Sequence, residues 1–207
     1  LKLVHTPLTD KCYMTLTGAL HLSVMAGIRS DAIARAMGLA PAAARIVRSM
    51  PNTPALIGQG IAGLYAREAV SAEERRAAEA LLAPTGRTLW VAREEDLDAV
   101  TALSGSGPAY VFYFVEAMMQ AAQDMGLSAE QGRQLALATF GGATALATQS
   151  SDSPAVLRER VTSKGGTTYA ALFKKSPVGL SYTAGLDPAI ARHLQTVAWE
   201  TVQTFRP

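Results

Sequence analysis

The chain has 207 residues, of which 49 % are apolar and 17 % charged, and its net charge is +2. Such a composition buries a core in one large domain or two small ones and excludes a disordered tail. The weak charge argues against nucleic acid as a partner, since that needs a concentrated basic face. The single cysteine, Cys12, excludes an internal disulfide framework and a cysteine zinc site. His5, His21 and His193 are scattered without ligand spacing, so no metal is expected. No apolar run approaches the ~20 residues of a membrane span. The first five residues carry no signal-peptide apolar region, and a cytoplasmic location with no membrane partner is expected.

Along the chain, His21 to Met25 reads as a strand, followed by a helix from Ser30 to Met37 that Gly38 ends. Arg45 to Met50 reads as a strand stopped by Pro51-Asn52-Thr53-Pro54, and Ile61 to Ala66 reads as another. Ser71 and Glu74 have the spacing of a capping box, which opens a helix running to Leu82. Thr88 to Val91 is a further strand. Alternation of this kind predicts an α/β layer up to about residue 95. The rest is helical in pattern.

Ser104-Gly105-Ser106-Gly107-Pro108 reads as a turn that places Pro108 at a first helical position. Val111, Val115, Met118, Met119, Ala122 and Met125 then share one side of a helix that Gly126 ends. Ser128 and Gln131 form a second capping box, opening a helix to about Gln149. Gly141-Gly142 within it suggests close helix packing. Asp152-Ser153-Pro154 opens a short helix to about Val161, and further helices are expected from Thr167 to Lys175 and from Asp187 to Phe205. The charge runs Glu94-Glu95-Asp96 and Glu73-Glu74-Arg75-Arg76 read as solvated helix faces.

Three polar segments are candidates for chemistry. Val161-Thr162-Ser163-Lys164-Gly165-Gly166-Thr167-Thr168 leaves bare backbone just before a predicted helix. Free N–H groups at such a place hold a phosphate or a carboxylate. Its plainer reading is a glycine turn with a threonine cap. Met50-Pro51-Asn52-Thr53-Pro54 leaves the carboxyl end of a strand, where open α/β sheets bind ligands. It also reads as an ordinary proline turn. Ser104 to Tyr110 reads as helix capping. A Walker A loop, a G-x-S-x-G elbow and an S-x-x-K pair are absent from the sequence.

In this order and spacing, Val47 to Ala55, Ala102 to Tyr110 and Val161 to Thr168 resemble the signature blocks of the Δ1-pyrroline-5-carboxylate reductases. The resemblance runs from about His21 to about Leu172. It implies an α/β part followed by an all-α part. The first is an incomplete Rossmann-type NAD(P)-binding domain over residues 1–95, the second a helical dimerisation and substrate-binding domain over 96–207. It also implies reduction of pyrroline-5-carboxylate to L-proline, the last step of proline synthesis, with NADP(H) or NAD(H), and self-association through the helical domain. Carried over by position, backbone N–H groups of Gly165, Gly166 and Thr167, with Ser163, would hold the substrate carboxylate. Thr168 would hydrogen-bond the ring nitrogen as the catalytic residue. Met25, Ala26 and Asn52 would lie against the cofactor, and Val111, Val115, Met118 and Met119 would be buried between subunits.

Three departures accompany the resemblance. No strand is followed by G-x-G-x-x-G and a helix, so the pyrophosphate half of the cofactor site is expected to be missing or to lie outside the chain given. Lys164 stands where the family commonly has proline. Residues from Ser176 onward match poorly. The alternatives are a non-enzymatic dimerisation remnant of such an enzyme, or a related imine or β-hydroxyacid reductase.

Overall fold

The computed structural model describes residues 20–164. They divide between Pro108 and Ala109 into two compact units. In the first unit, strands β1 (Leu20–Ser23), β2 (Arg45–Met50), β3 (Gly60–Ala66) and β4 (Gly86–Trp90) form one sheet in the order β1-β2-β3-β4. Helix α1 (Ser30–Ala36) joins β1 to β2 and helix α2 (Ala72–Leu82) joins β3 to β4, so both pairs run parallel. β2 and β3 are antiparallel. Only Pro51 to Gln59 separate them, and a parallel crossover needs a longer connection. The reversal follows from the shortness of this connection, which leaves no room for a crossover helix.

β2 is the strand the rest is built on. Its neighbours Ile46 and Val47 are both fully buried, one on each face of the sheet. Val47 packs in a cluster with Leu22, Leu64, Ala78 and Leu82, which brings in α2. Ile46 packs with Ile33, Ala34 and Ala44, which brings in α1. Helices therefore cover both faces, which is why the adjacent residues Ile46 and Val47 are both apolar rather than alternating with polar ones. The predicted capping box forms: the Glu74 backbone N–H donates to Ser71 Oγ at 3.2 Å, and the Ser71 N–H to Glu74 Oε2 at 2.8 Å. The far end of β4 is fixed to α2 by Trp90, whose indole N–H donates to Glu79 and whose ring lies 5.1 Å under the Arg75 guanidinium.

A short helix α3 (Asp96–Val100) follows and continues into a π-helical turn (Thr101–Gly105). The turn predicted at Ser104 to Pro108 is thus helical except at Ser106, whose N–H reaches back to the Thr101 carbonyl at 2.9 Å. Sequence periodicity does not distinguish a five-residue hydrogen-bond step from a loop.

The second unit holds α5 (Ala129–Gln149), α6 (Pro154–Arg160) and all but the first two residues of α4 (Gly107–Asp124). Pro108 lies in the first turn of α4, and Ser128 with Gln131 forms the second capping box. Ser153 caps α6. α4 and α5 approach closely at Gly132, where an added Cβ would lie 2.9 Å from the Ala122 Cβ. Phe114 and Phe140 continue that contact with ring centroids 6.2 Å apart. At Gly141-Gly142, where close packing is expected, nothing among the described residues lies within 4 Å of an added Cβ. Of the helix face expected to be buried between subunits, Val115 is already buried within the chain, and Met118 and Met119 are half-buried. Val111, Phe112 and Tyr113 are exposed. The helices expected from Thr167 and from Asp187 lie outside the described residues. Among the described residues, no helix is long and apolar enough to cross a membrane.

Candidate functional site

Because β1 and β2 are parallel, their carboxyl ends leave the sheet at the same edge, with Ser23 opposite Arg48. Two loops emerge there. The first, Val24 to Arg29, begins with the Met25 N–H donating to Ser23 Oγ at 3.3 Å and turns at Gly27, whose φ of 72° favours glycine. It presents Met25 and Ala26 to solvent. The second loop is Pro51 to Gln59. Asn52 sits at its start, half-buried, before a 3₁₀ turn (Thr53–Ile57).

Asn52 is tied at both ends of its amide. Its Oδ1 accepts from the Ile61 backbone N–H at 3.0 Å, and its Nδ2 donates to Ser104 Oγ at 3.1 Å. The first bond closes the loop onto the start of β3. The second joins the loop to the π-helical turn. Gly105, next in that turn, is pressed on Met50: a Cβ there would stand 2.7 Å from Met50 Cε. The first two signature segments of the sequence thus meet in space, through one hydrogen bond and one close approach. An amide has two N–H donors and two acceptor positions on its oxygen, so these bonds leave one of each for a ligand.

Beneath the first loop lies a buried polar cluster that sequence reasoning missed. Arg48, in the middle of β2, and Glu94 are each 7 % exposed. They pair at 2.9 Å. Glu94 also accepts from the Ser30 backbone N–H at 2.5 Å and from Ser30 Oγ at 2.7 Å. Arg67 donates to the same Ser30 hydroxyl at 3.0 Å. A carboxylate 64 positions away therefore caps α1, which has no cap from its own Arg29 side chain. Reading Glu94-Glu95-Asp96 as a solvated face is corrected for Glu94; Glu95 is exposed, as expected. Arg29 pairs with Glu95 at 2.8 Å, which holds the Glu95 carboxyl below the ordinary carboxylate range and raises the Arg29 guanidinium. One signal was available: a charge inside a buried strand requires a partner, and Arg48 is such a charge.

Gly58-Gln59-Gly60-Ile61-Ala62-Gly63 spells G-x-G-x-x-G by letter, but it leads into β3 and not into a helix. Its glycines have other tasks. Gly58 closes the 3₁₀ turn. A Cβ on Gly60 would be 2.8 Å from Ala55 and Thr85 backbone atoms, and one on Gly63 would be 2.7 Å from a Val100 methyl. The string is not a phosphate cradle.

Of the expected site residues, Met25, Ala26 and Asn52 lie at one edge of the sheet. Ser163 is exposed after α6. Gly165, Gly166, Thr167 and Thr168 lie outside the described residues.

The family model described as pyrroline-5-carboxylate reductase dimerisation matches residues 94–196. The pyrroline-5-carboxylate reductase of Pseudomonas aeruginosa is 51 % identical over 127 residues, which is 61 % of this chain and 46 % of that protein. That of Haemophilus influenzae is 46 % identical over 152 residues, 73 % of this chain and 55 % of its own. The solved structure of a pyrroline-5-carboxylate reductase from Coxiella burnetii superposes with a TM-score of 0.79 at 34 % identity, covering 97 % of this chain and 70 % of that one. The Plasmodium falciparum pyrroline carboxylate reductase, solved with NADP bound, gives 0.75 at 25 % identity, covering 90 % and 69 %.

Fold and neighbours together define a Rossmann-type α/β part followed by a helical dimerisation domain. The two signature segments joined at the sheet edge are of one piece with that class. The chain belongs to the pyrroline-5-carboxylate reductase family. It spans about half the length of the curated relatives it matches.

Proposed function

We propose that this protein reduces Δ1-pyrroline-5-carboxylate to L-proline with NADPH or NADH, in the cytoplasm, as a self-associating enzyme. The observation that carries the reading is the likeness to the Coxiella burnetii reductase along 97 % of this chain. The edge loops suit the nicotinamide end of a dinucleotide. Met25 offers an exposed apolar side chain, and Asn52 keeps one donor and one acceptor for a carboxamide. Reduced nicotinamide, when bound, supplies the hydride that turns the C=N of the ring into CH–NH.

The chain's own residues do the rest. Residues 1–95 hold the cofactor and residues 96–207 the substrate and the second subunit. Backbone N–H groups of Gly165, Gly166 and Thr167 bind the substrate carboxylate, with Ser163 beside them, because backbone amides next to glycines are open to an anion. Thr168 donates to the ring nitrogen and orients the imine, so the proton reaches nitrogen as the hydride reaches carbon. Fixed geometry between ring and cofactor accounts for much of the rate. The exposed Phe112 and Tyr113 on α4 contribute to the face shared with a second copy.

The test is Thr168→Ala. Loss of a positioned proton donor lowers kcat by about 100-fold or more, with thermal stability unchanged. An unaltered rate of pyrroline-5-carboxylate reduction would remove Thr168 from the mechanism.

A further inference from the structure

We propose that Ser104 is a positioning residue for the cofactor site: its hydroxyl holds Asn52 and so fixes the amide that faces the nicotinamide end. This rests on the reading above that Asn52 lies against the dinucleotide. The sequence reads Ser104 as a helix-capping residue, but α4 starts at Gly107, and Ser104 instead accepts from an amide 52 positions earlier. It stands inside the π-helical turn Thr101–Gly105. Such turns are rare and occur often at functional sites.

Three restraints converge on the same amide. Ser104 takes one Nδ2 proton, the Ile61 N–H takes one lone pair of Oδ1, and Gly105 lets the turn come down on Met50 at the loop's root. With both ends tied, the amide plane cannot flip, so its remaining donor and acceptor keep fixed directions. Preorganisation of this kind acts on ligand affinity more than on a chemical step in which Asn52 takes no part.

The test compares Ser104→Ala, Ser104→Thr, Asn52→Ala and the double variant of Ser104→Ala with Asn52→Ala in the purified protein. Ser104→Ala is expected to raise KM for NADPH about fivefold, the worth of one hydrogen bond. Its kcat is expected to stay within about twofold, the pattern of a lost ground-state contact. Ser104→Thr, which keeps the hydroxyl, restores KM. In the Asn52→Ala background, Ser104→Ala adds nothing, because its effect passes through Asn52. Additive effects, or a threonine variant no better than alanine, would overturn the proposal.

Exchange of the Asn52 side-chain amide protons, followed by NMR in the unliganded protein, gives a readout independent of turnover. Ser104→Ala is expected to speed it about fivefold, and unchanged exchange refutes the positioning role. A wild-type protein that does not reduce pyrroline-5-carboxylate would defeat the proposed function, while the exchange result would still decide the fate of Ser104.

Discussion

Glu94→Ala is expected to destabilise the α/β unit by about 3–5 kcal/mol, the cost of removing one partner from a buried ion pair. Arg48 would remain in the middle of β2, 7 % exposed, with its 2.9 Å carboxylate partner gone. The α1 amide of Ser30 would lose its acceptor in the same step. That is a large part of the roughly 5–15 kcal/mol that holds a domain together. Urea unfolding followed by tryptophan fluorescence in a Trp199→Phe background, which leaves Trp90 as the reporter, measures it. Glu94→Gln keeps the shape and an acceptor oxygen, and is expected to lose less. An alanine variant within ~1 kcal/mol of wild type would show that the pair behaves as a solvated surface bridge. The loop carrying Met25 and Ala26 ends at Ser30, so cofactor affinity is expected to fall together with stability.

Gly86→Ala is the second. Gly86 opens β4 opposite Gly60, with φ of 132°, a conformation that side chains rarely adopt. An added Cβ would stand 2.1 Å from the Gly60 carbonyl oxygen and 2.6 Å from its nitrogen. These are backbone atoms of a paired strand and cannot swing aside. Strain and overpacking together are expected to cost about 3 kcal/mol or more. The β3–β4 pairing would open from that end. The change reads out as a lower urea midpoint and as faster exchange of the β3 amides. A variant as stable as wild type would mean that β4 does not pair with β3 in the register Gly60↔Gly86.

Much of this unit was legible in the sequence for local reasons. β2 announces itself through the β-branched pair Ile46-Val47 and its stop at Pro51. The helices α2 and α5 announce themselves through two capping boxes, each a pattern of two residues three apart. What stayed hidden is non-local. Glu94 sits in an acidic run and looks like its neighbours; only the fold brings Ser30 and Arg48 to it. Asn52 and Ser104 looked like separate turn residues, and the bond between them depends on a π-helical step with no sequence signature. The reversal of β3 follows from the length of one connection. Gly58, Gly60 and Gly63 carry motif spacing, and only the strand that follows shows that they serve packing. The close approach of α4 and α5 falls at Gly132, a lone glycine, and not at the more conspicuous pair Gly141-Gly142. The resemblance in three ordered segments named the family because each segment is specific and their order adds to it. The third segment, from Gly165 onward, rests on that resemblance.

The most direct measurement is NADPH oxidation by the purified protein with and without pyrroline-5-carboxylate, with L-proline assayed at the end. The account predicts saturable, substrate-dependent oxidation that yields one proline for each NADPH consumed. A well-folded protein that binds NADPH and forms no proline at any concentration of pyrroline-5-carboxylate would contradict it.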